Sequence, residues 1–281
     1  MMLVAGRGDA VLLPTPWYFN HQMSLAMLGI EPRALPGRPE AGFVPDPADA
    51  EALIDPSVRA LVLVTPNNPT GAVYPASLIE AFAALCRRRG IWLVVDETSR
   101  DFLPAGQDRA HGLFAEEGWR GGLIQLYSFS KAYCIPGHRA GAMVADASVI
   151  VEIAKILDCL QICAPRAGQA ALVWGIEELG AWREANRREI NRRAEGFRAA
   201  MSGLPGWKLD SIGAYFAYLR HPFAGVSARR VAEALAVERG VLGLPGSYFG
   251  PGQEDHLRMA FANVGQDAIG TLGERLAGFS V

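Results

Sequence analysis

The segment SFSKAYCIPGHRAG, residues 128–141, contains residue types that could carry chemistry: serines, a lysine, a histidine and an arginine around a proline-glycine turn. Lys131 is the most informative of them. A lysine amine can attack a carbonyl carbon or accept a proton only in its neutral form, which partial burial away from water favours. A lysine at the end of a strand is otherwise an ordinary surface residue, so both interpretations of Lys131 stay open at this point.

Polar residues follow two further apolar runs in the same way. The run LVLVT leads into PNNPTG, which contains Asn68, and the run WLVV leads into DET, which contains Asp96. Ligands of open parallel sheets bind beyond the carboxyl ends of the strands, so a site is expected in these loops. A carboxylate at the end of an apolar run is costly without a partner, which favours a functional role for Asp96.

Short β-rich runs alternate with helical patterns and predict an α/β fold with a mostly parallel sheet and helices on both faces. The runs are AVLL at Ala10, LVLVTP at Leu61, WLVVDE at Trp92, LIQLYSFS at Leu123 and AGAMVAD at Ala140. The segment ASLIEAFAALCRRRG has apolar residues at helical spacing, basic residues in its last turn and a stop at its final glycine. It predicts a covering helix within a right-handed crossover.

The pattern changes to long helices from about Gly168, with a break near Gly180. The second helix contains many arginines, but acidic partners lie four residues away, as Glu184 does from Arg188. This spacing favours a solvated helix over a nucleic-acid site. A strand at AYFAYL, a helix at SARRVAEALAVERG and a strand at HLRMAFANV then predict a smaller α/β domain.

Bulk composition limits the classes of partner. The chain has 281 residues, of which 27 are basic and 29 acidic, and its net charge of −2 provides no attraction to nucleic acid or to an anionic membrane. No apolar run has the length of a membrane span and no signal peptide is recognised, so a cytoplasmic location is expected. Neither the histidines nor the cysteines have metal-site spacing, and reduced, mostly buried thiols are expected at Cys86, Cys134, Cys159 and Cys163.

Five motifs occur in a fixed order over nearly the whole chain: PTPWY, NNPTG, VVDE, SFSK followed by PGHRAG, and HLRMAFA. Together they resemble the class I and II aminotransferases, which are pyridoxal phosphate enzymes of fold type I. A single motif would be weak, whereas five in the order of the family are specific. The resemblance implies a large domain that binds pyridoxal 5'-phosphate and a smaller C-terminal domain.

The resemblance implies roles for residues at three strand ends. Lys131 matches the lysine whose amine forms a Schiff base with the pyridoxal aldehyde and then moves the proton between the substrate α-carbon and the cofactor. Asp96 matches the carboxylate that keeps the pyridine nitrogen protonated and so makes the ring an electron sink. Asn68 matches the residue that hydrogen-bonds the 3-oxygen of the cofactor.

Further residues match binding positions of the family. Ser128 and Arg139 match the phosphate ligands, for which a hydroxyl and a guanidinium are suited. Tyr18, or Trp17 beside it, matches the aromatic residue that stacks on the pyridine ring. Arg258 matches the clamp on the substrate α-carboxylate, where a guanidinium can donate two parallel hydrogen bonds.

Two features depart from the family pattern. Ser99 stands three residues after the aspartate, where the family has a tyrosine that donates to the 3-oxygen, so Asn68 is expected to carry more of that contact. The strand and glycine-rich helix N-terminus that hold the phosphate in the family precede the position at which this sequence begins. The resemblance therefore implies a phosphate held by Ser128 and Arg139 alone, and a sheet with an exposed edge.

The predicted activity is the transfer of an amino group from an amino acid to a 2-oxo acid, in a homodimer whose sites are shared across the interface. The predicted domains are residues 1–185, which bind the cofactor, and residues 186–281. Two alternatives stay open: a β-lyase or decarboxylase on the same scaffold, and a shortened, non-catalytic protein that retains the fold. The intact set of motif residues favours an enzyme, whereas Ser99 and the shortened front favour the last alternative.

Overall fold

Six strands form the larger of two sheets in the computed structural model, which describes residues 1–281. They are β1 (Ala10–Thr15), β2 (Glu31–Pro36), β3 (Val58–Val64), β4 (Trp92–Asp96), β5 (Leu123–Ser128) and β6 (Gly141–Val144). Their order is β2-β1-β3-β4-β5-β6, and every neighbouring pair is parallel except β5 with β6. The prediction of an α/β fold with a mostly parallel sheet is confirmed.

Helices cover both faces of this sheet. Helices α2 (Pro47–Leu53) and α3 (Ala76–Arg89) pack on one face, and α1 (Phe19–Leu28) and α5 (Ala147–Leu160) on the other. Helices α4 (Phe129–Ala132) and α6 (Arg166–Glu178) share a separate small apolar cluster. Leu61 of β3 packs in one apolar core with Phe82 of α3, whereas its neighbour Val62 packs in another core with Ile153 of α5. Because both faces are buried, β3 has the nearly continuous apolar sequence VRALVLV.

Helix α3 ends as the sequence predicts. Its last turn contains Arg87, Arg88 and Arg89, and Gly90 follows in the left-handed conformation with φ of 66°. The amide of Gly90 donates to the carbonyl of Arg87, which satisfies one of the free carbonyls at the helix end. The helix therefore returns the chain from β3 to β4 across one face of the sheet.

Strand β6 forms an exposed edge of the larger sheet, and all four of its residues are exposed. Exposed apolar side chains continue along α5, α6 and the loop between them: Leu160 is 63% exposed, Ile162 76% and Trp174 59%. This edge strand therefore lies next to an apolar surface. None of the helices is both long enough and apolar enough to cross a membrane.

The prediction of mostly buried cysteines is wrong for three of the four. Cys86 of α3 is buried, whereas Cys134, Cys159 and Cys163 are exposed, and all four are free thiols. The last two lie at the end of α5 and just beyond it, next to the exposed apolar surface. Burial raises the pKa of the Cys86 thiol to about 12, so this thiol stays protonated.

A second, four-stranded sheet follows the long helix α7 (Gly180–Met201). Its strands and the helices beside them are β7 (Lys208–Gly213), β8 (Phe216–Arg220), α8 (Ala228–Arg239), β9 (Leu244–Pro245), β10 (His256–Ala260), α9 (Gln266–Gly270) and α10 (Leu272–Leu276). The order is β7-β8-β10-β9, with all pairs antiparallel. This sheet and its helices bury a separate apolar core.

Helix α7 joins the two parts of the chain. Glu184 pairs with Arg188 at 2.9 Å, and Glu189 pairs with Arg193 at 2.7 Å, which places these arginines in ion pairs within the helix. Phe197, further along, packs in the core of the second sheet. The predicted domain boundary at 185/186 falls inside this continuous helix, so the division stays a prediction.

Gly71, in the loop after β3, packs directly against the turn between β7 and β8. Its φ is 76°, and an added Cβ would overlap the backbone nitrogen of Gly213 and the carbonyl oxygen of Phe216. Gly90 has a similar φ of 66° but no atom within 4 Å of an added Cβ. Gly90→Ala therefore carries only the backbone strain and serves as a control for Gly71→Ala.

We expect Gly71→Ala to lower the free energy of unfolding by about 3 kcal/mol and Gly90→Ala by about 1 kcal/mol. The difference comes from the overlap, because both alanines are forced into the left-handed region. Urea unfolding of both variants measures it. Equal losses would mean that the β7–β8 turn does not pack on Gly71.

Candidate active site

The loops after β1, β3, β4 and β5 lie together beyond the carboxyl ends of these strands. These four strands are parallel neighbours, so their carboxyl ends meet there. The backbone amide of Thr65, which begins the loop after β3, donates to the carbonyl of Asp96 at 3.0 Å. Most of the site residues that the sequence predicts lie at these carboxyl ends.

Asp96 is buried at the end of β4 and has the partners that its burial requires. One carboxylate oxygen accepts from the backbone amide and the hydroxyl of Thr98, at 3.0 and 2.6 Å. The other lies 2.9 Å from Nε2 of His21. Burial alone would raise the pKa of Asp96, but the hydrogen bond and charge of His21 and the hydrogen bonds of Thr98 outweigh it and hold the pKa below its ordinary value. The carboxylate is therefore charged at neutral pH.

His21 was missed by the sequence analysis. It lies in the first turn of α1, three residues after Tyr18, and its Nε2 donates to Asp96 because a carboxylate only accepts. The signal was present in the sequence PWYFNH, where a histidine one helical turn after an aromatic residue lies on the same face. The partner was not predictable, because Asp96 lies 75 residues further along the chain.

Arg258 lies on β10 of the second sheet and bonds to the loop after β3. Its Nη1 donates to Oδ1 of Asn68 at 2.9 Å, across 190 residues of sequence. The guanidinium has the rings of Phe216 and Phe249 at 4.5 and 4.9 Å from its carbon, and its Nε has no hydrogen-bond partner. No carboxylate of the chain pairs with it, and burial lowers its pKa to about 10. A half-buried guanidinium without a carboxylate partner is suited to an external anion.

Tyr18 lies among the charged groups of the site. The charges of Asp96, Arg258 and Arg139 all act on its hydroxyl, whose pKa is raised mainly by burial and then by Asp96. The hydroxyl accepts a hydrogen bond from Asn20 at 2.9 Å. Trp17 packs instead against Gly250, which distinguishes the surroundings of the two neighbouring aromatic residues.

Lys131 lies on α4, a single helical turn that Ser128 begins: the hydroxyl of Ser128 accepts from the backbone amide of Ser130 at 3.3 Å. The chain has three lysines, and the other two pair with carboxylates: Lys155 with Glu152 at 2.7 Å and Lys208 with Asp210 at 3.1 Å. Lys131 alone of the three has no carboxylate partner.

The expected burial of Lys131 is not found, because the residue is exposed. Helix α4 is only one turn long, and the segments that flank it, residues 136–139 and β6, are themselves exposed. Arg139 is exposed as well, in the left-handed conformation with φ of 48°, and donates through Nη1 to the carbonyl of Pro136 at 2.7 Å. The remaining donors of Arg139 have no partner in the protein.

Ser99 is buried just beyond β4, and its hydroxyl makes no hydrogen bond within the protein. The neighbouring Glu97 belongs to a buried cluster under the site, where it accepts from Gln125 of β5 and lies 2.9 Å from Nε2 of His111. Nδ1 of His111 accepts from the amide of Leu113, so Nε2 carries the proton; it lies at ion-pair distance from Glu97 but makes no hydrogen bond. The cluster ties the ends of β4 and β5 together.

Comparisons with known proteins agree with this architecture. A family model described as aminotransferase class I and II matches residues 1–276. An arginine–pyruvate transaminase of Pseudomonas aeruginosa is 29% identical over 275 residues, which are 96% of this chain and 68% of that relative. An aspartate aminotransferase of Pyrococcus horikoshii is 28% identical over 269 residues, 94% of this chain and 67% of the relative. The chain thus spans about two thirds of the length of these relatives.

Solved structures share the fold. An aspartate aminotransferase from Thermus thermophilus with maleate has a TM-score of 0.89 at 28% identity, over 98% of this chain and 71% of that one. An aromatic aminotransferase from Pyrococcus horikoshii also has a TM-score of 0.89, at 24% identity, over 98% of this chain and 74% of that one.

Proposed function

This chain belongs to the class I and II aminotransferases, and we propose from this membership that it transfers an amino group from an amino acid to a 2-oxo acid with pyridoxal phosphate bound at Lys131. The hydrogen bond between Arg258 and Asn68 carries the proposal most directly. It joins the proposed clamp for the substrate carboxylate to a proposed ligand of the cofactor, although the two residues come from different sheets.

The residues of the candidate site fit pyridoxal phosphate. Arg258 fixes the oxygen of the Asn68 amide, so the Asn68 Nδ2 is free to donate to the 3-oxygen. Asp96 is a charged partner for the pyridine nitrogen, and the Lys131 amine is the group that would bond to the aldehyde carbon. The Ser128 hydroxyl and the free donors of Arg139 would hold the phosphate, with Tyr18 stacked on the ring and Ser99 beside it. The cofactor, when bound, withdraws electrons from the substrate α-carbon and so lets its proton leave.

The proposed division of work follows from these positions. Arg258 binds the substrate carboxylate and thereby orients the α-carbon, while its hydrogen bond to Asn68 fixes the distance between clamp and cofactor ligand. With cofactor and substrate bound, the Lys131 amine would accept the α-proton and pass it to the cofactor, and in the second half of the cycle it would move a proton back to the α-carbon of the new amino acid. Asp96 keeps its negative charge throughout, because His21 and Thr98 stabilise the carboxylate form.

We also propose that the chain works as a homodimer. Lys131 and Arg139 are exposed, whereas proton transfer by an amine is more efficient when water is excluded. Helix α6 contacts this segment, since Gly168 lies against His138, and its outer side carries the exposed Val173 and Trp174. A second copy that covers these apolar residues would also cover the region around Lys131.

Product analysis after covalent trapping tests the proposal. The full chain is incubated with pyridoxal phosphate, reduced with borohydride and digested, and the modified lysine is identified by mass spectrometry. The unreduced holoenzyme is then mixed with single amino acids. Formation of a 2-oxo acid together with pyridoxamine phosphate supports amino transfer. Pyruvate with ammonia would indicate a β-lyase, carbon dioxide a decarboxylase, and no modification at Lys131 a non-catalytic protein.

Carboxylate binding is expected to weaken as the pH rises above about 10, because the pKa of Arg258 is lowered to about 10. The guanidinium is charged below that pH and attracts a carboxylate, whereas above it the neutral form loses the ion pair. The dissociation constant of a simple carboxylate such as 3-phenylpropionate should rise by up to about tenfold per pH unit beyond that point. A titration from pH 8 to 11 measures it, and a constant affinity over this range would mean either that Arg258 keeps its charge there or that it is not the clamp; Arg258→Gln, which should lose the binding only if Arg258 is the clamp, decides between the two.

A further inference from the structure

The turn between β7 and β8, residues 213–216, contacts three elements of the candidate site. The backbone of Gly213 packs against Gly71, in the loop that holds Asn68. The ring of Phe216 lies over the guanidinium of Arg258. The hydroxyl of Tyr215 donates to the main-chain carbonyl of Lys131 at 3.3 Å. One turn of the second sheet therefore contacts the loops after β3 and β5 and the proposed carboxylate clamp.

Tyr215 is well placed to act as a fixed anchor. Its ring lies 4.6 Å from the ring of Phe102, centroid to centroid, and the preceding Ala214 is held in the left-handed conformation with φ of 44°. Burial, together with the nearby Cys134 and Asp101, raises the pKa of the Tyr215 hydroxyl well above its ordinary value. The hydroxyl thus remains a donor throughout the neutral and moderately alkaline range.

Besides Tyr215, the main-chain carbonyl of Lys131 has only local hydrogen-bond partners. Helix α4 is one turn long, and the other hydrogen bonds to the Lys131 carbonyl come from Cys134, within the same segment, whose amide donates at 3.3 Å. Tyr215 supplies the hydrogen bond that reaches this carbonyl from a distant part of the chain, 84 residues away. A carbonyl fixed to the second sheet restricts the orientation of the whole turn, including the side chain of Lys131.

We propose that Tyr215 is a positioning residue, whose hydroxyl anchors the main chain of Lys131 to the second sheet and so sets the place of the amine relative to Arg258. The proposal rests on the proposed function, because it assigns to Lys131 a reaction that depends on its position. Near-attack geometry is sensitive to displacements of about 1 Å, which can change a rate by about a hundredfold. Loss of the one hydrogen bond that joins this turn to the second sheet is where such a displacement would arise.

Tyr215→Phe tests this, since it keeps the ring on Phe102 and removes only the hydroxyl. Without cofactor, hydrogen exchange of the amides in residues 129–135 should become about fivefold faster. With cofactor, the rate constant for borohydride-trapped capture of pyridoxal phosphate at Lys131 should fall by about tenfold. Affinity for pyridoxamine phosphate, which has no aldehyde, should stay within about twofold. A slower capture with an unchanged affinity for pyridoxamine phosphate distinguishes a displaced amine from general damage to the site.

Tyr248→Phe is the matched control, because Tyr248 is half exposed and its hydroxyl has no partner in the protein. The control should match the original chain in all three measurements. Unchanged exchange in Tyr215→Phe, or faster exchange with an unchanged capture rate, would overturn the proposal. If the original chain captures no pyridoxal phosphate, the proposed function fails instead, and the exchange comparison alone still decides whether Tyr215 anchors Lys131.

Discussion

Lys131→Arg is expected to abolish covalent capture of pyridoxal phosphate and to lower amino transfer by at least about a thousandfold. Arginine retains a positive charge and a long side chain, but its guanidinium stays protonated near neutral pH and neither attacks an aldehyde nor carries the α-proton. Lys131 is exposed and makes no ion pair, so the fold should be unaffected, with a stability change within about 0.5 kcal/mol. The measurements are borohydride trapping followed by peptide mass spectrometry, the rate of 2-oxo acid formation, and thermal unfolding.

Lys155→Arg provides the control for this substitution. Lys155 is exposed on α5 and pairs with Glu152 at 2.7 Å, an ion pair that arginine can retain. The control should trap the cofactor at Lys131 and transfer amino groups at the original rate. A labelled peptide that persists in Lys131→Arg and disappears in Lys155→Arg would assign the reaction to Lys155 and would contradict the role given to Lys131.

The sequence predicted the elements of the larger sheet where local patterns are strong. Strands β3 and β4 are continuous apolar runs, and α3 has both a periodic apolar face and the glycine that ends it. Strand β2 was missed because EPRALP contains two prolines and lies at an edge, where the local pattern is typical of a loop. Helix α5, ASVIVEIAKILDCL, was missed because its β-branched residues also fit a strand.

The candidate site was predictable as a set of positions but not as a set of contacts. Motifs identified Asn68 and Arg258 separately, but only the fold joins them, because the β10 strand and the loop after β3 lie far apart in the chain. The same holds for His21 and Asp96. The exposure of Lys131 was not predictable either, since it depends on how much of the neighbouring chain covers a single helical turn.

The second large effect is expected for Asp96→Asn, which should retain capture at Lys131 but slow amino transfer by about 10²–10³-fold. The amide has the shape of the carboxylate but no charge, so it cannot keep the pyridine nitrogen protonated. The fold can tolerate the change: the amide oxygen still accepts from Thr98, and His21 can take the other tautomer and accept from the amide, because its Nδ1 has no partner to lose. Trapping and single-turnover transfer are measured on the same sample, and an equal loss in both would indicate damage to the whole site rather than to this step.

His21→Leu retains the Asp96 carboxylate but removes the hydrogen bond that His21 donates to it. With the histidine removed, its hydrogen bond and charge no longer oppose the effect of burial, so the pKa of Asp96 rises relative to the original chain. The carboxylate is the active form, so transfer should be near the original rate at high pH and should fall as the pH drops through the raised pKa. Asp96→Asn has no carboxylate to titrate and should be slow at every pH. The two variants each change one partner of the same hydrogen bond, yet they should differ in the pH dependence of amino transfer. A rate that does not vary with pH in His21→Leu would mean that His21 does not lower the pKa of Asp96.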